Sequence, residues 1–288
     1  MNAKIILITG STDGIGKITA TELAKQGHTI IVHGRNKEKA AAVCQEIIAK
    51  TGNKNVAFLI ADLLRLTDIK RMSEELKKKY SNLDVLINNA GALFGKERET
   101  TSEGFEKTIT LNLFAPFLLT KLLLETLAKS ESARIINVYS AMHRRGGKPD
   151  FTNFQSDKVY KTDRAYGLSK LYLVWITKHL AKQLKENGLD NITVNACHPG
   201  AVATNFGQDA DKGFLMNLIF KVALLIMPKP EKGAQTSIYL ASSPDVKNIS
   251  GEFYNNNMKV EKPDAKYYSA ENEKLVWEYC EKITTKYV

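Results

Sequence analysis

Short apolar runs alternate along most of this chain with longer segments in which apolar residues recur every three or four positions. The apolar runs predict strands near residues 4–9, 29–33, 56–60, 85–88, 134–139, 192–196 and 252–254. The helical patterns between them begin near Ile15, Lys37, Asp68, Ser102 or Asn112, Asp163 and Glu231, and a last helix is predicted from Ala270 to about Thr284. Runs such as 5–8 and 85–87 lack polar alternation, as expected of strands covered on both faces. This rhythm predicts an α/β fold with a parallel sheet between two layers of helices.

Length and composition favour one domain. The chain has 288 residues, and its 43% hydrophobic content suffices for a sizeable core. No repeat, low-complexity linker or break in composition divides it. The apolar stretch 214–227 is shorter than the roughly 20 residues that cross a bilayer, and Asn217 and Lys221 interrupt it. No transmembrane span is therefore predicted, and a buried or covering helix is favoured over an interfacial one.

The net charge of +10 has several interpretations. Nucleic acid, membrane headgroups and anionic cofactors all attract a basic protein. However, the positive charges are spread along the predicted helices, and no arginine-rich tail or aromatic RNA-binding motif accompanies them. A lysine-rich solvated surface is the favoured reading, and no nucleic-acid partner is predicted.

The cysteines and the amino terminus predict a cytoplasmic location. Cys44, Cys197 and Cys280 are odd in number and far apart, with no Cys-x-x-Cys pair, so neither a disulfide framework nor a metal site is expected. A reducing compartment fits this usage. Lys4 leads at once into a strand-like run, so no signal peptide is expected.

A glycine-rich turn follows the first predicted strand and opens the first helix. Its residues are Gly10, Ser11, Thr12, Asp13, Gly14, Ile15 and Gly16. Glycines at such a place allow a tight turn and bring backbone N–H groups and the positive helix end close to a pyrophosphate. The spacing Gly-x-x-x-Gly-x-Gly differs from the commoner dinucleotide fingerprint, and the Gly-Lys-Ser/Thr ending of an ATP-binding loop is missing. A phosphate-binding turn is predicted in preference to an ordinary turn.

The end of the second strand indicates which dinucleotide binds. Arg35 and Asn36 follow this strand, and no acidic residue lies between His28 and Lys37. An acidic side chain there would hold the ribose 2′-hydroxyl of NAD, whereas arginine suits the 2′-phosphate of NADP. Lys17 could add a second positive charge. NADP(H) is therefore preferred over NAD(H), and a surface arginine capping a loop is the alternative reading of Arg35.

Tyr166 and Lys170 form a candidate proton-transfer pair. Residues four apart lie on one face of a helix. An ammonium near a phenol favours the phenolate and lowers the phenol pKa from its ordinary value of about 10. The spacing alone is common on surface helices. It gains weight here because a nicotinamide site is predicted upstream.

With these features in place, the chain resembles the short-chain dehydrogenase/reductase family over nearly its whole length, and within that family the retinol dehydrogenase-like branch. The matching features, in order, are the glycine turn, Asp62-Leu63, Asn88-Asn89-Ala90-Gly91, Asn112, Ser140, Tyr166, Lys170 and Pro199-Gly200. The pointers to the branch are residues 112–120, the long stretch between Ser140 and Tyr166, His198-Pro199-Gly200 and residues 250–254.

The resemblance implies a Rossmann-type, doubly wound sheet of about seven strands in a single domain, 1–288. Its cofactor-binding part would cover about 1–140, and its catalytic and substrate-binding part about 141–288, with a lid near 205–230. The residues expected around the cofactor, besides the glycine turn, Arg35 and Asn36, are Asp62, Leu63, Asn89, Ala90, Gly91, Tyr166, Lys170, Pro199, Gly200, Val202 and Thr204. Adenine would lie near Asp62 and Ala90, and the carboxamide near Thr204.

The resemblance also implies the chemistry, which is hydride transfer between the nicotinamide and a carbonyl or alcohol. Tyr166 would exchange the proton, Lys170 would keep it acidic and hold the ribose, Ser140 would bind the substrate oxygen, and Asn112 would support a water relay. A capping role is the alternative for Ser140. His143 and His198 have no acidic partner evident in the sequence, so neither receives a catalytic role.

The substrate is expected to be a lipophilic small molecule. The apolar stretch 214–227 would lie at the lid, and Leu93, Phe94 and the insert 144–162 would help to shape the pocket. Peripheral membrane contact and homo-oligomerisation stay open, as does the alternative that the final helix covers the contact surface of oligomeric relatives. A non-catalytic dinucleotide-binding regulatory module is the alternative function, disfavoured because both Tyr166 and Lys170 are present.

Overall fold

The computed structural model describes residues 3–200, 230–263 and 265–288. The predicted lid, 205–230, lies outside the described residues except for Pro230, and so its apolar stretch 214–227 is not described. Val202 and Thr204 also lie outside the described residues. The strands are β1 Ile5–Ile8, β2 Thr29–Gly34, β3 Val56–Ile60, β4 Val85–Asn88, β5 Ala133–Val138, β6 Ile192–Cys197 and β7 Phe253–Tyr254. The helices are α1 Gly14–Lys25, α2 Lys37–Thr51, α3 Leu66–Lys79, α4 Lys107–Ala128, α5 Thr162–Glu186, α6 Pro230–Ser242 and α7 Ala270–Thr284. Short 3₁₀ turns cover Ala141–Arg145, Pro244–Val246 and Thr285–Tyr287.

The strands form one sheet in the order β3-β2-β1-β4-β5-β6-β7, and every neighbouring pair is parallel. The strand order reverses between β1 and β4, so the loops after these two strands diverge and leave a crevice at the carboxyl edge of the sheet. Ligands of open α/β sheets bind in such a crevice. The predicted doubly wound α/β fold is confirmed.

Each face of the sheet has its own apolar core. Helices α1, α2 and α6 cover one face with side chains such as Leu23, Ile47 and Leu240. On the other face, α3, α4 and α5 pack against the sheet. Strands buried on both faces need apolar side chains at every position, which explains the unbroken runs of β1 and β4.

Helix α7 lies outside α4 and α5 and is joined to them mainly by aromatic side chains. Trp277 packs edge-on against Phe117 of α4 at 4.8 Å, and the Tyr279 ring stacks on Phe154 of the segment before α5 with 3.9 Å between centroids. Lys121 of α4 forms an ion pair with Glu281 at 2.7 Å. The final helix therefore covers α4 and α5 within the chain itself.

Helix α4 is long and apolar enough, by length and composition, to be a candidate membrane span among the described residues. However, 72% of its apolar window is buried inside the protein. A buried core helix can have the same length and apolar composition as a membrane span. The packing of α4 between the sheet and α7 accounts for its composition.

Candidate active site

The glycine turn joins β1 to α1 at the carboxyl edge of the sheet. Gly10 has a φ of +63°, a conformation that L side chains rarely adopt, and a Cβ there would lie 3.0 Å from the Ala90 Cα atom. Gly14 begins α1, and no atom lies within 4 Å of the position that its Cβ would take. The backbone at the start of α1 is therefore open to a ligand.

Two buried side chains behind the turn hold its shape. The Ser11 hydroxyl donates to the Ile8 carbonyl at 2.7 Å and accepts from the His33 N–H at 3.0 Å. His33 Nδ1 accepts from the Gly10 N–H at 3.0 Å, and its Nε2 lies 3.2 Å from the Ala61 carbonyl. Burial lowers the pKa of His33 to about 4, so the neutral ring donates from Nε2 and accepts at Nδ1. Sequence reasoning placed Ser11 at the cofactor and missed His33, although a histidine in an apolar strand beside Gly34 was a signal.

Asp13 and Asn36 cap the two helices that flank the turn. The Asp13 carboxylate accepts from the Gly14 N–H at 2.8 Å at the start of α1 and pairs with Lys39 at 2.9 Å. The Asn36 side chain accepts from the Lys39 N–H at 2.6 Å at the start of α2. Both residues were expected at the cofactor. Their side chains serve the local structure, and they bring Lys39, which the sequence did not single out, to this end of the crevice.

Arg35 is exposed directly after β2, and no ion pair holds it among the described residues. Lys17 was considered as a second positive charge for the cofactor. The structure pairs its ammonium with Glu46 of α2 at 2.5 Å, so its charge is already compensated. Lys39 is likewise paired with Asp13. Of these three residues, Arg35 is the one whose positive charge no ion pair compensates among the described residues.

The loop after β4 is bound to the glycine turn through Thr9. The Thr9 hydroxyl accepts from the N–H groups of Asn89 and Ala90 at 2.9 and 3.0 Å. The Asn89 amide donates to the carbonyls of Thr9 and Gly10 at 2.8 and 3.3 Å. The Asn89 side chain thus holds the two sides of the crevice together.

The loop after β3 completes this half of the crevice. Asp62 Oδ1 accepts from the Leu64 N–H at 3.1 Å, and the Asp62 N–H donates to Asp68 Oδ2 at 3.1 Å. The neighbouring Leu63 is buried in the core. The loop is therefore anchored at the position where the resemblance places adenine.

Tyr166 and Lys170 project from α5 into the protein and are both almost fully buried. The Lys170 ammonium lies 5.9 Å from the centre of the Tyr166 ring and donates to the Val138 carbonyl at 3.0 Å. The Tyr166 hydroxyl is hydrogen-bonded to the Ser140 side chain. The structure thus brings three of the four predicted catalytic residues together.

The electrostatics of this pair differ from the expectation that Lys170 makes Tyr166 more acidic. Burial raises the pKa of Tyr166 to about 12, although the hydrogen bond from Ser140 opposes the shift. Burial also lowers the pKa of Lys170 to about 7. Desolvation disfavours both charged forms and is the largest cause of each shift. In the protein's own environment, Tyr166 is a neutral proton donor at neutral pH.

Ser140 follows β5 and caps the 3₁₀ turn Ala141–Arg145. Its Oγ accepts from the Met142 N–H at 3.2 Å while it is bonded to Tyr166. The capping role that the sequence suggested as an alternative is therefore present together with the contact to Tyr166. The cap fixes the serine rotamer.

Asn112 lies in a π-helical turn, Thr110–Phe114, inside α4. Such turns are rare and occur frequently at functional sites. The Asn112 amide donates to the Ala92 carbonyl at 3.0 Å, and its Oδ1 accepts from the Ala92 N–H at 3.3 Å. A Cβ on Gly91 would lie 2.8 Å from Asn112 Oδ1 and 3.0 Å from Lys170 Nζ. Gly91 therefore adjoins two of the predicted catalytic side chains.

Pro199 and Gly200 follow β6, and Gly200 has a φ of +75°. Its N–H donates to His198 Nδ1 at 3.1 Å. The expectation that His198 has no acidic partner is wrong, because its Nε2 lies 3.2 Å from Glu261. These residues are 63 positions apart, and nothing local in the sequence links them.

The residues present fit a dinucleotide. The open backbone at the start of α1 suits a pyrophosphate, Arg35 supplies positive charge after β2, and Tyr166 with Ser140 provides hydroxyl groups at the far end. All three parts lie at the carboxyl edge of the sheet. No group of His, Cys, Asp and Glu among the described residues could hold a metal ion.

Comparison with known sequences identifies the family. The sequence model of the family described as short chain dehydrogenase matches residues 4–213. Human polyprenol dehydrogenase is 36% identical over 284 residues, covering 96% of this chain and 84% of that protein. Human retinol dehydrogenase 13 is 36% identical over 267 residues, covering 91% and 79%.

Solved structures show the same fold. A protein from Mycobacterium paratuberculosis superposes with a TM-score of 0.76 at 26% identity, covering 98% of this chain and 93% of that one. A structure from Escherichia coli CFT073, solved as a complex with NADPH, superposes with a TM-score of 0.69 at 25% identity, covering 89% and 97%. The chain therefore belongs to the short-chain dehydrogenase/reductase family, in its retinol dehydrogenase-like branch, and is an oxidoreductase of alcohols and carbonyls.

Proposed function

We propose that this protein is an NADP(H)-dependent oxidoreductase that transfers a hydride between the cofactor and a carbonyl or alcohol group of a lipophilic small molecule. The observation that carries the proposal is that the buried residues Tyr166, Lys170 and Asn112 lie with the partly buried Ser140 at the carboxyl edge of the sheet. A regulatory binding module has no need of a buried lysine and a buried phenol at this position.

The protein's part in the reaction is to hold and move a proton. The nicotinamide, when bound, supplies or accepts the hydride. In the reducing direction, the Tyr166 hydroxyl gives its proton to the substrate oxygen, and the Ser140 hydroxyl donates a hydrogen bond to the same oxygen. Such acid–base help contributes typically 10²–10⁴-fold. Lys170, with a pKa of about 7, can take up or release a proton near neutrality.

The preference for NADP(H) rests on charge at the end of β2. Arg35 is exposed and has no ion pair among the described residues, Lys39 lies nearby, and no acidic residue stands where NAD would need one. Guanidinium presents several donors in a planar fork that matches phosphate. The NADPH complex of the Escherichia coli relative supports the same preference.

The lipophilic substrate is supported by two relatives and by the wall of the crevice. Retinol and polyprenol, named in those relatives, are alcohols with long apolar chains. The insert that follows Ser140 is joined to the loop carrying Leu93 and Phe94. Thr162 donates to the Gly95 carbonyl at 2.8 Å, and Arg98 donates to the Gln155 carbonyl at 3.0 Å. This firm wall suits a bulky apolar substrate.

The location proposed for the protein is the cytoplasm. All three cysteines are free and buried, as suits a reducing compartment. Fractionation of cells that express the tagged full chain tests this. Recovery with membranes after a high-salt wash would contradict it.

Substrate turnover tests the proposed reaction. The protein is assayed with NADPH and NADH against paired aldehydes, ketones and alcohols that have short or long apolar chains. We expect turnover with NADPH that favours long chains. Tyr166→Phe should lower kcat by about 10²–10⁴-fold while NADPH binding, followed by cofactor fluorescence, stays unchanged. A near-normal rate in this variant would remove Tyr166 as the proton donor, and NADPH binding without any turnover would favour the regulatory module.

A further inference from the structure

A second polar cluster lies beside Ser140 and takes no part in the proton transfer described above. It consists of Tyr139 after β5, His198 after β6 and Glu261 beyond β7. The residues Tyr139 and His198 are buried, with 1% and 8% of their surfaces exposed, and the Glu261 side chain is 22% exposed. Three separate segments of the carboxyl edge of the sheet thus converge on one carboxylate.

The hydrogen bonds of this cluster meet at a single atom. Glu261 Oε1 accepts from the Tyr139 hydroxyl at 2.8 Å and from His198 Nε2 at 3.2 Å. His198 Nδ1 accepts from the Gly200 N–H at 3.1 Å. Because Nδ1 is an acceptor, the proton of the neutral ring must lie on Nε2, directed at Glu261. Hydrogen bonds therefore run without a break from Gly200 through His198 to Glu261 and Tyr139.

The backbone holds each member of the cluster in place. The Tyr139 N–H donates to the Cys197 carbonyl at 2.9 Å, the His198 N–H to the Tyr254 carbonyl at 3.1 Å, and the Glu261 N–H to the Phe253 carbonyl at 2.8 Å. The Tyr139 ring also packs edge-on against the rings of His143 and His198, with centroids 5.4 and 5.3 Å away. The side chains have little freedom to find other partners.

The neighbours of the cluster give it a consequence for catalysis. Tyr139 immediately precedes Ser140, which binds the substrate oxygen in the proposed reaction. His198 immediately precedes Pro199 and Gly200, which are expected at the nicotinamide. We infer that Glu261 is a positioning residue that fixes the Ser140 loop and the Pro199–Gly200 turn relative to each other, and so aligns the substrate carbonyl with the nicotinamide. This inference rests on the proposed function for its effect on rate.

The charges around the cluster agree with this role. Burial raises the pKa of Tyr139 and lowers the pKa of His198, so both remain neutral hydrogen-bond donors at neutral pH. Arg144 lies 3.9 Å from the same carboxylate oxygen and is half-exposed. Loss of the carboxylate would leave the buried donors of Tyr139 and His198 without an acceptor. A buried donor without an acceptor is unfavourable, so each of these side chains would tend to move towards another acceptor.

The test compares E261A, E261Q and Y139F with the full-length wild-type protein. We expect E261A to lower kcat by about 10²-fold, the typical result of a misplacement near 1 Å, with little change in the Kd for NADPH. The primary isotope effect with NADPH deuterated at the nicotinamide C4 should rise, because hydride transfer becomes rate-limiting. E261Q should stay within about fivefold of wild type, because one amide oxygen can accept both hydrogen bonds.

A control variant, E281A, and the variant Y139F guard against a purely structural explanation. E281A removes a carboxylate from the α4–α7 contact and should leave kcat and the isotope effect unchanged. Y139F keeps the ring and removes one hydrogen bond, so it should lower kcat without unfolding the protein even if E261A folds poorly. Equal rates for E261A and E281A, or wild-type rates for Y139F, would overturn the inference.

Hydrogen exchange separates this inference from the proposed function. The Gly200 amide should exchange faster in E261A than in wild type whether or not a substrate is turned over. Faster exchange in a protein that turns over no substrate would leave the positioning role standing and remove the proposed reaction. Unchanged exchange, with normal wild-type turnover, would remove the positioning role alone.

Discussion

Gly91→Ala places one methyl group against Asn112 and Lys170 and is the most direct test of the geometry proposed for catalysis. The added Cβ would lie 2.8 Å from Asn112 Oδ1 and 3.0 Å from Lys170 Nζ, whereas ordinary contact begins at 3.4 Å. The two side chains must therefore retreat by roughly 0.4–0.6 Å. Neither can do so freely, because Asn112 is bonded twice to Ala92 and Lys170 is bonded to Val138.

The expected cost is larger for catalysis than for stability. Overpacking of this kind costs about 1–3 kcal/mol of folding free energy. A misplaced proton-transfer group can cost about 10²-fold in rate. We therefore expect kcat/KM to fall by about 10²-fold, while urea denaturation shows a protein that is still folded. Steady-state rates and unfolding midpoints are measured on the same preparations.

Gly95→Ala is the matched control in the same loop. The nearest atom to a Cβ there is Glu99 Oε1 at 3.7 Å, an ordinary contact, and Gly95 does not have a positive φ. This variant should retain wild-type activity. The kcat/KM of Gly91→Ala could also stay within about threefold of the wild-type value. A displacement of Asn112 and Lys170 by less than about 1 Å would then not affect the reaction, and the tight packing around Gly91 would have no catalytic role.

Two other predictions concern the cofactor end of the crevice. Arg35→Asp should reduce the ratio of kcat/KM with NADPH to kcat/KM with NADH by roughly 10–100-fold, because a charge-assisted hydrogen bond contributes about 1.5–3 kcal/mol. Lys129→Asp, before β5, is the charge-matched control. An unchanged ratio in Arg35→Asp would mean that the 2′-phosphate binds elsewhere. The folded pKa of His33 is about 4, below its ordinary value of 6.5, so the unfolded chain binds more protons between these values and stability falls as the pH drops from 6.5 towards 4. The loss between pH 7 and pH 5 should be smaller in His33→Gln than in wild type by about 2 kcal/mol in urea titrations. An equal loss in this variant would mean that other groups cause it.

Much of the secondary structure could be predicted from local sequence. The strands Val56–Ile60 and Val85–Asn88 and the helix Ala270–Thr284 have their predicted bounds. Each has a local cause, since unbroken apolar runs favour buried strands and the Ser269 side chain caps the last helix. The sequence predicts that α4 begins near Ser102 or Asn112. The helix begins at Lys107, where the buried Glu106 carboxylate accepts from the N–H groups of Thr108 and Ile109.

The residue types of the candidate site could likewise be predicted from the sequence, because each candidate residue either follows a predicted strand or lies on the same helix face as another candidate. Short-range spacing places Tyr166 beside Lys170 and Gly10 at the end of β1. It does not reveal how deeply these groups are buried, and burial decides that Tyr166 stays neutral at neutral pH while the pKa of Lys170 falls to about 7. Solvent exposure is a property of all the elements packed around a group.

The sequence by itself therefore determined the order of the elements, the family and the residues able to carry the chemistry. Only the tertiary structure decided which partners those residues have. It pairs Lys17 with Glu46, places His33 behind the glycine turn and brings Glu261 to His198 and Tyr139. These contacts join residues from 23 to 122 positions apart. No local pattern encodes such pairs, because they form only when the sheet brings distant loops to the same edge.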